Sequence, residues 1–199
     1  MELKRKIIQE SLRLFSSHGF ESTSLKHILT AAGTSKGGFY NHFKSKEELC
    51  RAVLAEARTT WQQRNLEGLD EIDLPLDKLH KLLDNYRYRY LGDNVLLPGG
   101  CVFINLAVEL DGQLGQTMPD LTKEVHEGFS RLQDMIRRLL QDAQTSGEVR
   151  PDVDCEMAAS IVFTGMLGSS IVHGMTKSGL HSDLAIENLK RYLNHLGPR

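Results

Sequence analysis

The sequence predicts an all-α protein in two parts: three short N-terminal helices, then a longer helical body, about nine helices in all. Three observations carry this. Apolar residues recur at helical spacing along nearly the whole chain, and no stretch alternates as a strand does. Ser, Thr, Asp, Gly and Pro stand where those apolar patterns begin and end. Forty per cent of the 199 residues are hydrophobic, which is enough to build a core.

The elements follow in order. Leu3, Ile7, Leu14 and Phe15 share a face of a first helix that stops at His18-Gly19. Thr23 or Ser24 caps a second, carrying Leu25, Ile28, Leu29 and Ala32 and ending at Gly33. A third runs from about Ser35 to Phe43. Ser45 then caps a fourth that passes Trp61, with Glu47 and Glu48 where acids suit the helix dipole. A linker near 68–75 precedes helical spacing from Leu76 to Tyr90. After a loop with Pro98, Gly99 and Gly100, a short apolar helix spans Cys101 to Leu110. A longer one carries Leu121, Val125, Phe129, Leu132, Ile136 and Leu139, and two more cover about 154–176 and 182–196. No run approaches the ~20 apolar residues of a membrane helix, and the charged start is unlike a secretory signal, so no membrane role is expected. Domain boundaries are expected at 1–48 and 49–199.

Charge is distributed unevenly. Residues 1–50 hold eight Lys/Arg against five Asp/Glu; the remainder holds sixteen against twenty-one. A basic head on an acidic body suits a polyanion partner for the head. Cys50, Cys101 and Cys155 are three and far apart, which fits neither a disulfide framework nor a zinc site and suits a reducing cytoplasm. Nothing in the sequence implies a cofactor.

Three short helices and tight turns in a basic head read as a helix-turn-helix, with Ala32-Gly33-Thr34 as the turn and the third helix entering the major groove of double-stranded DNA. Gly37 and Gly38 then fall on the first turn of that helix. A glycine costs about 1 kcal/mol in a helix interior but less at its start, and here it lets backbone approach DNA. Phe39 and Phe43, four apart, belong to the core.

The run TSLKHILTAAGTSKGGFYNHFKSKEEL, residues 23–49, resembles the DNA-binding head of the TetR repressor family. The resemblance implies that Tyr40, His42 and Lys46 contact phosphates and that Lys26 reaches DNA from the second helix. It also implies that Thr34, Ser35, Lys36, Gly37 and Gly38 face the major groove. Gly38 departs from the family's usual Thr, Ser or Ala, which leaves Lys36 as the leading base reader, to guanine. The family implies a homodimer on a palindromic operator and a ligand cavity in the body. Small residues at helical spacing, Gly165, Gly168 and Val172, with the apolar Leu189 and Leu193, suit the dimer contact. Tyr86, Phe129 and Met166 lie in the helices that usually surround the cavity, and Asn105 and Glu109 share a helix face as its polar groups. Gly100-Cys101 and the apolar run behind it resemble the body of the N-ethylmaleimide-reductase repressor, which implies an electrophile-sensing Cys101. The expected inducer is therefore a small molecule or an electrophile. Cys101 follows a loop and opens a helix, which favours a thiolate, whereas Asp152, Asp154 and Glu156 oppose ionisation of Cys155. Two rival readings are a cysteine enzyme and a helical carrier. No histidine is spaced to serve Cys101 as a base, and Lys36, Tyr40, His42 and Lys46 together argue against a head without function.

Overall fold

The computed structural model describes residues 2–110, 112–176 and 179–198, the side chains of Gln113 and Leu114 aside. Among these residues there are ten α-helices and one π-helical stretch, with no strand. The order is α1 (Glu2–His18), α2 (Leu25–Ala32), α3 (Lys36–Tyr40), α4 (Lys46–Asn65), α5 (Pro75–Asp84), the π stretch (Asn85–Tyr90), α6 (Val102–Leu110), α7 (Gln113–Thr117), α8 (Pro119–Thr145), α9 (Cys155–Thr176) and α10 (Gly179–His195). The short α7 adds to the expected elements. The third helix is shorter than expected, because His42 N–H turns back to the Phe39 carbonyl and ends it.

The chain falls into two compact units, Met1–Trp61 with Asp93–His126, and Gln62–Gly92 with Glu127–Arg199. The boundary expected after residue 48 lies inside α4, and the helices α6 and α7 belong with the head.

In the first unit, Ile7, Leu12, Phe15, Ile28, Phe39, Leu49, Val53 and Leu54 are fully buried. The end of α1 is clasped by α6 and the loop before it. Ser16 Oγ donates to the Gly100 carbonyl and accepts the Gly99 N–H, both at 3.0 Å. A Cβ at Gly99 would overlap the Ser16 carbonyl, so only glycine fits there. Asn105 Nδ2 donates to the Ser16 carbonyl at 2.7 Å.

In the second unit, α9 and α10 pack closely. Gly165 permits this, since a Cβ there would lie 2.7 Å from the Leu189 side chain. The π stretch is marked by the Leu91 N–H bonding the Tyr86 carbonyl five residues back. Its side chains tie it inward. Tyr86 Oη donates to the Met166 carbonyl at 3.1 Å, Asn85 Nδ2 donates to the Asn65 and Glu67 carbonyls, and the buried Arg87 pairs with Asp183 at 2.6 Å. Lys190 pairs with Asp84 at 2.9 Å.

By length and composition α9 alone among the described helices is apolar enough to cross a membrane, a test that a core helix also passes. Ser160, Thr164, Ser169, Ser170 and His173 interrupt its apolar run without lowering its mean hydropathy below that of a span. Ala158, Ala159, Val162 and Met166 bury one side of it in the second unit.

Candidate nucleic-acid interface

Local chemistry fixes the helix-turn-helix. Ser24 caps α2 by accepting the His27 N–H, and His27 Nδ1 accepts the Ser24 N–H in return, a capping box with histidine in the place of Glu or Gln. Gly33 ends α2 at φ 63° and ψ 43°, the left-handed conformation that glycine adopts without strain. Ser35 caps α3 and accepts the Gly38 N–H at 3.2 Å. Phe39, buried, stands edge-on to Tyr40 at 5.3 Å and 5.6 Å from Phe43. The third helix is thus anchored by Phe39, with Phe43 just beyond its end, while Lys36, Gly37 and Tyr40 are open.

Lys26, Lys36, Gly37 and Tyr40 are exposed, and Thr34, Gly38 and His42 are partly so. Gly37 and Gly38 differ. A Cβ at Gly37 would meet only Ser35 Oγ at 3.8 Å, so this backbone is bare. A Cβ at Gly38 would overlap Thr34 Oγ1 and touch Leu3. The missing side chain at Gly38 makes room for Thr34 and Leu3. Ser35 spends its hydroxyl on the cap.

Lys46 is placed differently from the expected phosphate contact. Its ammonium donates to the Phe20 carbonyl and stands 4.1 Å over the Phe20 ring. Burial lowers its pKa below the ordinary lysine value, against the opposing pull of Glu109. Lys44 stays exposed; at the start of α4 the Ser45 hydroxyl accepts the Glu48 N–H at 3.2 Å, and Glu48 Oε2 accepts the backbone N–H of Lys44 at 2.7 Å. The Ser45 hydroxyl also lowers the Glu47 pKa.

Glu109, expected in the ligand set, serves the head instead. Its carboxylate accepts the N–H of Phe20 at 2.8 Å and of Glu21 at 3.2 Å. Burial raises its pKa, with the two amides and Lys46 opposing. A Cβ at Gly19, where φ is 81°, would overlap this carboxylate. Asn105 is likewise committed to α1. Cys101 is buried at 6% exposure, just ahead of α6 rather than opening it. Cys50 is fully buried, and burial pushes its pKa to about 12. Cys155 is also raised, first by burial and then by Asp154. The three form no disulfide.

The rest of the expected ligand set lies in the second unit. Tyr86 and Met166 meet and are buried, while Phe129 is half-buried and edge-on to Phe163 at 6.2 Å. The expected dimer residues divide. Gly165, Leu189 and Leu193 pack within the unit, whereas Gly168 has nothing near it and Val172 is 37% exposed. Met157, Ile161, Met175, Leu180 and Leu184 are exposed as well. Sequence reasoning missed Ser16, an ordinary-looking serine inside an amphipathic helix. Its partner loop Pro98-Gly99-Gly100 was the available sign that two backbones meet.

Two family models cover most of the chain: bacterial regulatory proteins of the tetR family over residues 7–53, and the tetracyclin repressor-like C-terminal domain over residues 75–189. An uncharacterised HTH-type transcriptional regulator of Lactococcus lactis subsp. lactis is 32% identical over 141 residues, 67% of this chain and 71% of that protein. A TetR transcriptional regulator from Chloroflexus aurantiacus J-10-FL superposes with a TM-score of 0.84 at 29% identity, over 96% of this chain and 94% of that one. AibR, solved with isovaleryl coenzyme A and operator DNA, shares the fold with a TM-score of 0.74 at 18% identity, over 99% of this chain and 100% of that one.

Proposed function

This chain belongs to the TetR family of DNA-binding transcriptional regulators, and from that premise we propose that it works as a homodimeric repressor, released from a palindromic operator by a small molecule in its helical body. The observation that carries the DNA reading is the open face of α3. Lys36, Gly37 and Tyr40 are exposed on a helix that the buried Phe39 anchors from behind, with Lys26 exposed on α2. Lys36 reads a base edge, and Lys26 and Lys44 hold phosphates. His42, half-exposed, lies at the edge of this surface. Lys46 acts from within the head and not on DNA directly.

A dimer is supported by α9 and α10, where exposed Met157, Ile161, Val172, Met175 and Leu184 accompany the open Gly168. Such an apolar face on a soluble regulator suits a second copy of itself, and it accounts for the hydropathy of α9 without a membrane. The protein would then work in the cytoplasm beside the chromosome.

For the input, AibR offers an acyl coenzyme A as one class of inducer, and Tyr86, Phe129 and Met166 supply apolar walls in the second unit. Modification of Cys101 is a second route, and one observation favours it. Cys101, Asn105 and Glu109 follow at intervals of four, the spacing of one helical face; Asn105 holds the end of α1 and Glu109 the turn after it. A bulky adduct on Cys101 would push on the same face.

The test is binding of the purified protein to DNA flanking its own gene, followed by anisotropy. Two chains should bind one inverted repeat, and acyl coenzyme A esters or a thiol alkylator should be screened for release. Equal affinity for the repeat and for a scrambled duplex would sink the operator reading.

A further inference from the structure

Gly33, Thr34 and Ser35 join α2 to α3. Backbone and cap bonds hold this turn at both ends. The Gly33 N–H donates to the Thr30 carbonyl at 3.2 Å and the Thr34 N–H to the Leu29 carbonyl at 3.0 Å, which closes α2. The Ser35 hydroxyl accepts the Gly38 N–H at 3.2 Å, which opens α3. The hydroxyls of Thr23, Ser24 and Ser45 are spent in the same local way. That of Thr34 is not. Among the described residues it has no hydrogen-bond partner, and the residue is partly exposed.

Gly38 shows where this hydroxyl stands. A Cβ on Gly38 would overlap Thr34 Oγ1 on one side and lie 3.6 Å from Leu3 Cδ2 on the other. The threonine hydroxyl therefore occupies the space from which a side chain at position 38 would start. Gly37, one residue earlier, is bare as well, so neither glycine covers the hydroxyl. Because the turn is already bonded at both ends, little further ordering is needed for this group to meet a base edge. A hydroxyl donates or accepts, so it can pair with any of the bases.

We propose that Thr34 is a second base reader beside Lys36 and that Gly38 positions it, by leaving the Thr34 hydroxyl in the place where a side chain at 38 would otherwise enter the groove. Thr34 touches the DNA, and Gly38 acts through it. Both roles rest on the operator reading above.

The full-length protein is bound to a randomised duplex library, and the retained DNA is sequenced for wild type, Thr34→Ala, Gly38→Ala and the double variant. Thr34→Val, which keeps the shape and removes only the hydroxyl, decides the base contact if Gly38→Ala does not fold. Thermal melting no lower than that of wild type establishes that a variant is folded. Affinity for a scrambled duplex is followed against salt.

Thr34→Ala and Thr34→Val should each lower the preference at one base pair per half-site roughly three- to tenfold, the size of one hydrogen bond. Gly38→Ala should alter the preference at that same base pair, because the added methyl displaces the hydroxyl. In the Thr34→Ala background it should alter nothing further. The hydroxyl is uncharged, so the salt slope should stay that of wild type. A wild-type preference profile in Thr34→Val would overturn the base contact. Gly38→Ala acting at another base pair, or equally with and without the threonine hydroxyl, would overturn the coupling. An equal loss on every sequence, with no single preference altered, marks a structural role for Thr34 and overturns both roles. A wild type that enriches an unpaired half-site overturns the operator reading alone, since the variants still decide Thr34 on that sequence; one that enriches no sequence overturns both.

Discussion

Glu109 Oε2 accepts the Phe20 N–H at 2.8 Å, so one carboxylate on α6 holds the turn that leads from α1 into the helix-turn-helix. Replacing Glu109 by Ala leaves the buried Phe20 amide without its acceptor. The expected loss is about 1–3 kcal/mol, read as a lower denaturant midpoint. Operator affinity should fall too, because the turn before α2 loosens. An unchanged midpoint would mean that water replaces the carboxylate at no cost.

The same carboxyl gives the protein a pH signature. Burial raises its pKa above the ordinary 4.5 in the folded chain. Between the ordinary value and the raised one, the folded state holds more protons than the unfolded, so its contribution to stability shrinks as pH rises through that window. Glu109→Gln has no such titration. The stability of wild type relative to Glu109→Gln should therefore decline as pH climbs from about 4.5, as measured by urea unfolding at a series of pH values. A constant difference would show that Glu109 titrates alike in both states.

Lys46 and Lys26 should separate in salt. With Lys26 and Lys44 each neutralising one phosphate, a dimer contacts four, and the log–log slope is roughly −4. Lys26→Ala should flatten it by about 2. Lys46→Ala should leave the slope alone and lower stability by about 1–2 kcal/mol through the lost bond to Phe20. Anisotropy at several salt concentrations decides, and a flattened slope in Lys46→Ala would return its ammonium to the DNA.

The two glycines of α9 should also separate. Gly168→Glu is expected to yield a folded monomer, because nothing in the subunit stands near that position. Gly165→Leu drives side-chain atoms into Leu189 and should cost about 1–3 kcal/mol by overpacking. Sedimentation and thermal melting together read the pair. A dimer that survives Gly168→Glu moves the interface elsewhere.

Thiol chemistry gives a final check. Cys50, buried and held protonated to about 12, should be the last cysteine alkylated in the native protein, by mass spectrometry over time. Cys101→Ser should slow any alkylation-driven release of DNA. Release at the wild-type rate would leave a reversible small molecule as the inducer.

The head was legible because its signals are local. Ser24, Gly33, Ser35 and Ser45 act within a few residues of themselves, and sequence spacing shows such effects directly. The clasp was not legible, because Ser16, Asn105 and Glu109 take their meaning from backbone groups more than eighty residues away. Sequence places Asn105 and Glu109 on one helix face but does not say what that face meets. The bond from Lys46 to Phe20 was not legible for a related reason: the ring and the carbonyl that meet its ammonium lie twenty-six residues back. Gly165 and Gly168 look equivalent in a small-residue stripe, and only the position of Leu189 tells them apart.

The bonds between Ser16 and the Gly99-Gly100 loop also bear on how the protein is born. Eighty-four residues separate Ser16 from Gly100. At a synthesis rate of about 5–20 residues per second, the ribosome adds the loop some 4–17 seconds after Ser16. The three head helices are therefore translated, and begin to fold, before their clasp exists. A nascent chain in that interval has α2 and α3 but an α1 whose Ser16 still lacks its partners, so the end of α1 is secured only once the loop before α6 has been made.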